Sequence, residues 1–509
     1  MKCSASTLGY LLTGLLLAGH AGAQPAPPPA APQSGPTLEE REPPRSDDPA
    51  EAALAPVPGG LTADVVARRT EAASPTVRAK QAEVEAARAK VEATAFQFVP
   101  KLTVKATYTR LSPVAANLGG ALVGALHAGP LGMGPCPGPG GATCVLDSQG
   151  TPVGAAAFEL KTFEDNYNLN ATLGIPLSDY LLRLSHATAS SSAGKHAAEL
   201  ALQAERLKVK TDARVLYYGW LRARGQVAVA HKSLEQVRAR LKDAQAAYTL
   251  GAISKADLLR LEALVASTEV VVKQAESYQA LSVQQLALTM GDPSGHEYRV
   301  GEDLMAPVSS PVTGTLPSLV AEAHANRLEL RALAETSRAL RRGASATSAG
   351  ALPRLDAFAG ADYGNPNQRY FPPQREWNLT WQLGLAASWT VGDVFIERAQ
   401  AAELEANARS VDAQRQAARD GIQQEVTAMY LDRDRAEAAL EATGRAVKAA
   451  EEAYRVATDL YRVGRATTTD MIDAESELLV ARLKRLDAQI DLKVASARLR
   501  HAVGRDIAR

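Results

Sequence analysis

Apolar residues recur every seven positions in two long stretches of the chain, with small residues between them. The first stretch contains Val227, Ala230, Leu234, Val237, Leu241, Ala244 and Tyr248. The second contains Leu440, Val447, Ala450, Tyr454, Ala457 and Tyr461. A seam with this spacing is typical of supercoiled helices. The pattern therefore predicts two long coiled-coil helices, over about 178–250 and 393–463.

A glycine turn follows each of these stretches, and the two turns share one spacing. Three residue types recur 213 positions apart: Gly251 and Gly464, Asp257 and Asp470, Glu262 and Glu475. Self-similarity at a fixed offset indicates an internal duplication.

Each turn predicts the tip of a helical hairpin. Glycine ends a helix in the left-handed conformation at low cost. Beyond it, Ser254 in the first turn and Thr468 or Thr469 in the second can cap the next helix. The return helices are predicted over about 254–290 and 468–503.

Elsewhere the hydrophobic period changes to two and predicts four strands, each with one apolar and one polar face. Their predicted ranges are about 101–110, 167–177, 354–363 and 378–391. Lengths of about ten residues match those of tilted strands that cross a bilayer. Pro100 and Pro353 precede the first and third strands, so the two halves of the chain repeat one plan.

Composition sets the remaining boundaries. Lys2, an apolar run and the small residues Ala21-Gly-Ala23 predict a signal peptide. The proline-rich segment that follows is predicted to be an exposed, extended linker. The predicted order is signal peptide 1–23, linker 24–60, first repeat 61–291, inter-repeat linker 292–313, second repeat 314–504 and tail 505–509. Helical patterns open the repeats, over 61–98 and 316–342.

Charge and motif content argue against several functional classes. Lys and Arg (56) balance Asp and Glu (56), which argues against binding to nucleic acid. The histidines have no metal-binding spacing, and no phosphate cradle or catalytic triad is ordered by the sequence. We therefore expect no enzyme, no metal and no cofactor. No stretch has eighteen uninterrupted apolar residues, so no transmembrane helix is predicted.

Four amphipathic strands from one chain cannot form a closed structure in lipid, because the two edges of the sheet would stay unpaired. Closure therefore requires more copies of the chain. Membrane barrels begin at about eight strands, so two copies are the minimum and three copies give twelve strands.

The signal peptide, the duplicated helix-strand-strand-helix halves and the paired Tyr-x-x-Gly turns together resemble the TolC-like outer-membrane efflux proteins, over about residues 61–504. The resemblance implies a mixed α/β membrane protein. It would be a homotrimer with a twelve-stranded transmembrane β-barrel, four strands from each chain, continuous with a long periplasmic α-helical coiled-coil barrel. The barrel would sit in outer-membrane lipid.

The resemblance also implies a function, which is to conduct substrates out of the cell in a tripartite efflux or type I secretion system. The partners would be a periplasmic adaptor protein and an inner-membrane pump. The alternative is a non-conducting periplasmic coiled-coil adaptor or scaffold. That class has no need of four amphipathic strands of membrane length, so the channel is favoured.

Two acidic residues match the family's periplasmic gate. Asp470 and Asp473 lie three residues apart and share one helix face. In a trimer six carboxylates would surround the axis, which should raise some of their pKa values and favour cations. The alternative is an ordinary acidic pair that the helix dipole favours at an N-terminus.

Further residues at the tips match other roles. Tyr461 and Asp257 match a latch between helix pairs, although Tyr461 also fits as an ordinary seam residue. A basic latch residue of the family falls on Ala466, with Arg465 one position earlier. Gly251 and Gly464 match turns that adaptors contact, and their alternative role is helix termination.

Cys136 and Cys144 are the only cysteines expected in the mature chain. They lie in a Gly/Pro-rich loop at 112–162, which the resemblance places outside the cell. Because exported proteins meet an oxidising environment, a disulfide is favoured over a metal site or free thiols.

Overall fold

A computed structural model describes residues 49–113, 122–156, 163–292, 297–307 and 311–506. The described residues belong to one compact unit, Asp48–Arg509. The predicted signal peptide and residues 24–48 of the predicted linker lie outside them.

Helices dominate the described residues, and strands interrupt them at two places in the chain. In order, the elements are α1 (Pro49–Ala53), α2 (Ala63–Ala73), α3 (Pro75–Phe96), β1 (Lys101–Arg110), β2 (Leu122–Gly124), β3 (Gly132–Pro135), β4 (Thr143–Leu146), β5 (Gly154–Ala156), β6 (Asp165–Pro176), α4 (Leu177–Leu181), α5 (Arg183–Thr249), α6 (Lys255–Met290), α7 (Leu316–Asn326), α8 (Leu328–Ala349), β7 (Arg354–Asn365), β8 (Asn378–Ser388), α9 (Val391–Arg462) and α10 (Thr468–Val503).

The four long strands form one antiparallel sheet in the order β1-β6-β7-β8. The register keeps like residues together, because cross-strand neighbours share a face. One row on the apolar face is Leu102, Leu173, Ala359 and Leu383, and the adjacent row on the polar face is Thr103, Thr172, Gly360 and Gln382. The prediction of four amphipathic strands per chain is therefore confirmed.

The apolar face of this sheet is not covered by any other described element. Leu102, Trp381 and Leu383 are between 66% and 76% exposed. Strands β1 and β8 form the two edges, so each has one side without a sheet partner among the described residues. An exposed apolar face and two open edges are unfavourable in water and require a covering environment.

Aromatic side chains lie at both ends of the sheet. Tyr167, Tyr363 and Trp377 pack together at the end far from the long helices. Trp389 lies at the opposite end, where β8 leads into α9. From Trp377 to Trp389 the strand covers about 40 Å, which at the usual tilt corresponds to about 30 Å of bilayer. Aromatic belts with this separation are typical of the two interfaces of a membrane.

The long helices α5 and α9 contain 67 and 72 residues, or about 100 and 108 Å at 1.5 Å per residue. Helix α6 returns along α5, and α10 returns along α9. The helix predicted to begin at Ser178 is interrupted at Leu182. Its first turn is the separate helix α4, because Ser178 and Asp179 contact the start of β7 through the Leu355 N–H and Arg354.

Each repeat opens with two short helices rather than the single helix predicted over 61–98 and over 316–342. The breaks fall at Ser74 and Arg327, which are 253 residues apart, as are Pro100 and Pro353. Ser74 caps α3 by accepting the Val77 N–H at 3.3 Å, and proline occupies the first helical position. The side chain of Arg327 donates to Glu329 and Glu425. The break is therefore part of the duplicated plan.

The end of the predicted linker is packed rather than exposed, so this part of the prediction is wrong. Helix α1 buries Ala50 (5% exposed), and Leu54 just after it is also buried (4% exposed). Apolar residues four positions apart share a helix face, and they pack here against the core around Trp220.

The hydrophobic core lies midway along the long helices α5 and α9, where the return helices α6 and α10 end. One cluster surrounds Tyr217, Trp220 and Leu221 on α5, and a second surrounds Val426 on α9 and Leu499 on α10. The Tyr217 hydroxyl donates to the Leu61 carbonyl at 2.7 Å. Both hairpins are thus held at the end opposite their tips, and the tips extend beyond this core.

The loop between β1 and β6 contains two small sheets, formed by β2 with β5 and by β3 with β4. The structure joins Cys136 to Cys144 by a disulfide, with the Cα atoms 5.2 Å apart. None of the helices in the described ranges has the combination of length and apolarity that crossing a membrane requires.

Candidate gate at the hairpin tips

The two tips share one backbone hydrogen-bond pattern. Gly251 and Gly464 adopt the left-handed conformation, with φ of 72° and 70°. The residue after each glycine donates its N–H to a carbonyl five residues earlier, at 2.9 Å in both tips. This satisfies carbonyl groups that the end of a helix leaves unpaired. The duplicated sequence therefore produces the same turn twice.

The return helices begin with equivalent caps. The Ser254 hydroxyl accepts the Asp257 N–H at 3.1 Å, and the Thr467 hydroxyl accepts the Asp470 N–H at 3.2 Å. The prediction that Thr468 or Thr469 caps the second helix is therefore wrong. All three threonines suit a cap, but only Thr467 lies 213 residues after Ser254, where the turn places the start of the helix.

The first predicted gate residue, Asp470, is engaged in its own helix cap. Its carboxylate accepts the Thr467 N–H at 2.8 Å, which completes a capping box. Hydrogen bonds from the backbone and hydroxyl of Thr467 hold the pKa of the Asp470 carboxyl below its ordinary value. The expected rise in pKa depends on assembly, and within one chain the shift is in the opposite direction.

The second predicted gate residue, Asp473, lies one turn further along α10 and is exposed. Within the described part of the chain it has no ion pair or side-chain hydrogen bond. Its counterpart in the first repeat, 213 residues earlier, is Arg260. The same position thus carries opposite charges in the two tips.

Arg260 joins the two tips, and the sequence analysis missed it. Its guanidinium Nη1 lies 3.4 Å from Asp257 Oδ1 and donates to Thr469 Oγ1 at 3.3 Å. The predicted latch residues Asp257 and Tyr461 are not hydrogen-bonded to each other in the ranges that the structure describes. Asp257 binds Ser254 and Arg260 instead. The signal that could have identified Arg260 is its place on the exposed face, three residues after Asp257.

An apolar contact lies beneath this polar one. Leu261 of α6, Met471 of α10 and Ala244 of α5 are buried together, and Tyr461 and Leu258 pack against them. Tyr461 is thus a seam residue within one chain, which was the alternative to its latch role. This cluster holds the tip of the second hairpin against the first.

A buried polar network lies two to three helical turns above the tips. Glu475 of α10 is 5% exposed and lies close to Tyr454 of α9 and Ser233 of α5, both of which act to lower its pKa. Tyr454 also lies close to Arg240 of α5. Nearby, Arg482 of α10 donates to Glu451 of α9 at 3.1 Å. These groups therefore connect the long helix of one hairpin to both helices of the other.

Burial raises the pKa of the Glu475 carboxyl, although Tyr454, Arg240 and Arg482 oppose this rise. Glu475 Oε2 has no hydrogen-bond partner among the described residues. A buried carboxylate with one unsatisfied oxygen is costly to keep charged. Protonation of Glu475 would thus remove a costly buried charge from between the hairpins.

The sequence contains a signal for this network that went unused. Met471, Glu475, Leu478 and Arg482 follow the four-three spacing of the α10 seam. A charged residue at a seam position is expected to be buried and paired. In the duplication Glu475 corresponds to Glu262, which is exposed in the structure.

Comparison with known proteins places these features in a family. The family model for outer membrane efflux proteins matches residues 66–292 and 319–505. No curated protein matches the chain by sequence. Members of this family are passive channels, which confirms that the chain is not an enzyme.

Solved structures share the fold at low sequence identity. The outer-membrane channel OprN is 19% identical with a TM-score of 0.67, and the match covers 89% of this chain and 95% of OprN. VceC from Vibrio cholerae is 18% identical (TM-score 0.65, 87% and 96% covered). MtrE from Neisseria gonorrhoeae, in its open state, is 16% identical (TM-score 0.65, 87% and 88% covered). Because the family model covers both repeats, the chain belongs to the outer membrane efflux protein family, as an outer-membrane channel with a large periplasmic portion.

Proposed function

We propose that three copies of the chain close a twelve-stranded barrel and form a continuous exit duct through the outer membrane. The observation that carries this proposal is the four-stranded sheet, with its exposed apolar face and the open edges β1 and β8. Pairing β8 of one copy with β1 of the next removes every edge, and lipid covers the apolar face.

The periplasmic end of this duct is gated at the second tip. Asp473 is exposed and unpaired within the described residues, so its charge is available to the pore. Asp470 stays ionised at neutral pH because its cap holds its pKa low. A ring of such carboxylates attracts cations at a constriction. The acids therefore give the closed gate a cation preference.

The tips dock a periplasmic adaptor that connects the duct to an inner-membrane pump, and substrates move outward. Leu250 and Val463, one residue before each tip glycine, are 84% and 67% exposed. A Cβ atom added at Gly251 or Gly464 would meet nothing within 4 Å. An exposed apolar residue at the same position of both tips, beside a glycine with free space around it, supports a docking surface for a helical partner.

The test is single-channel recording of the purified protein in planar bilayers. We expect small, cation-selective openings that lose most of this selectivity in Asp470→Asn/Asp473→Asn, which keeps the shape of both side chains. The matched control is Asp459→Asn, since Asp459 lies before the turn and pairs with Arg455 and Arg462. Unchanged selectivity in the double variant would refute the gate, and folded protein that never conducts would refute the duct.

A further inference from the structure

The loop that joins β7 to β8, residues 366–377, folds back over the polar face of the sheet. Asn367 is 3% exposed, and its amide donates to the Asn378 carbonyl at 2.9 Å and to Thr380 Oγ1 at 3.2 Å. Its Oδ1 accepts the Arg369 N–H at 3.0 Å. Asn367 therefore fixes where the next residues of the loop lie.

These contacts place the Arg369 side chain on the polar face. Its guanidinium donates from Nη1 to the Trp381 carbonyl at 3.0 Å and from Nη2 to Gln382 Oε1 at 2.9 Å. Gln382 belongs to the same polar row as Thr103, Thr172 and Gly360. Two hydrogen bonds to neutral groups hold the guanidinium and leave its charge uncompensated.

A cavity of about 250 Å³ lies beneath this loop, and both Arg369 and Asp362 line it. The Asp362 carboxylate accepts the amide of Asn168 at 3.0 Å and that of Asn170 at 3.4 Å. Neither charged group forms an ion pair within the ranges that the structure describes. By contrast, Arg375 of the same loop lies 3.8 Å from Asp165. Arg369 is therefore the loop arginine whose charge is directed to the polar face without an acidic partner.

We propose that Arg369 determines the charge preference of the channel at its extracellular exit. This inference rests on the proposed duct, because the polar face lines a lumen only when the barrel closes. Three copies then place three guanidinium groups around the exit, above three Asp362 carboxylates. Rings of side-chain charge set the ion preference of a pore, and their field extends about 8 Å at physiological salt. The exit thus carries a ring of guanidinium groups, which the periplasmic gate lacks.

The test is the reversal potential of single channels under a KCl gradient. Arg369→Gln removes the charge and keeps an amide that can donate to Trp381, and we expect the potassium-to-chloride permeability ratio to rise about threefold. Asp362→Asn should lower the ratio. Arg369→Lys, which retains the charge, and Arg375→Gln, which alters the paired arginine, should leave the ratio close to that of the parent.

Chemical rescue separates charge from shape. Because Cys136 and Cys144 are joined, Arg369→Cys introduces a single free thiol into the part of the chain that the structure describes. A cationic methanethiosulfonate reagent should return the ratio to the parent value, and a neutral reagent of similar size should not.

Three outcomes would overturn the proposal. If the parent conducts but Arg369→Gln and the cationic reagent leave the ratio unchanged, the exit assignment fails and the duct stands. If Arg369→Lys shifts the ratio as much as Arg369→Gln, the side chain acts through loop structure rather than charge. If the folded parent does not conduct, the duct and the exit assignment fail together.

Discussion

The two hairpin tips of this chain have the same backbone and different chemistry. Both have a left-handed glycine, equivalent carbonyl contacts and a hydroxyl cap on the return helix. Position by position, however, Arg260 corresponds to Asp473, and Leu261 corresponds to Ala474. The two repeats thus share the residues that build the turn and differ in side chains at other positions of the tip.

The difference indicates a division of labour between the tips. In the first tip Arg260 compensates Asp257 and reaches the second tip through Thr469. In the second tip Asp473 has no cationic partner among the described residues. The first tip therefore supplies contacts, and the second supplies the uncompensated charge from which we propose the gate is built.

Among the substitutions that test this comparison, the largest loss of stability is expected at Leu261, which is 1% exposed between the hairpins. Leu261→Ala should lower the free energy of unfolding by about 2–4 kcal/mol, because it removes buried methyl groups and leaves a cavity. Urea unfolding followed by circular dichroism measures this change. Leu259→Ala is the control, since Leu259 is 52% exposed and should cost less than about 0.5 kcal/mol. Equal losses for the two variants would contradict the packing role of Leu261.

The next effect is expected at the tip glycines. Gly251→Ala and Gly464→Ala should each cost about 1 kcal/mol, since both residues need positive φ and an added Cβ meets no other atom. The same unfolding experiment measures both. Gly219→Ala, inside α5, should instead be stabilising by roughly 0.5–1 kcal/mol. If the two Gly→Ala variants lose very different amounts of unfolding free energy, the two turns are not equivalent.

A smaller effect on stability is expected at Glu475, which is compared with its counterpart in the first repeat, Glu262. Burial raises the pKa of Glu475 above its ordinary value of 4.5, so the folded protein binds this proton more tightly than the unfolded chain. Stability from this group is present below pH 4.5 and is lost as the pH rises through the raised pKa.

Glu475→Gln should therefore reduce the loss of stability with rising pH above 4.5 and raise the melting temperature at neutral pH by about 1–3 °C. Glu262→Gln, at the exposed counterpart, should leave the pH profile unchanged. Melting curves between pH 4 and pH 8 compare the two variants. Identical profiles for both would show that burial of Glu475 has no linkage to folding.

The smallest effect is expected at Arg260, whose side chain is 59% exposed. Arg260→Ala should cost less than about 0.5 kcal/mol, because exposed ion pairs contribute little. A matched change in the other tip is Asp473→Arg, which copies the Arg260 arrangement beside Asp470. Urea titrations at low and high salt measure the free energy of unfolding of both variants. A cost above 1 kcal/mol for Arg260→Ala would mean that the contact with Thr469 is a main support of the tips.

Much of the fold follows from the sequence because periodic patterns are local. The heptads predict α5 and α9, and the alternating strands predict the sheet and its two faces. The duplication then relates the tips to each other. The capping residue of α10 is not decided by a local pattern, because three adjacent threonines suit a cap. Thr467 is selected because the turn fixes the residue at which the return helix begins.

Other features were missed because they depend on contacts between distant segments. The packing of Ala50 and Leu54 depends on a core surface supplied by α5, which composition does not reveal. Glu475 looks like a surface residue until two hairpins enclose it. Similarly, nothing local in the sequence shows that the loop of Arg369 folds over the polar face.

The position of the core along the hairpins has a mechanical consequence. The cluster that contains Val426 holds α9 near its middle, and Arg462 at the tip lies about 54 Å further along the helix. Beyond this core the two hairpins, which contact each other at their tips, form a lever arm, so a rotation of about 5° at the core would displace the tips by roughly 5 Å. Small angular changes at the core would thereby be amplified into movements as large as the aperture of a narrow pore.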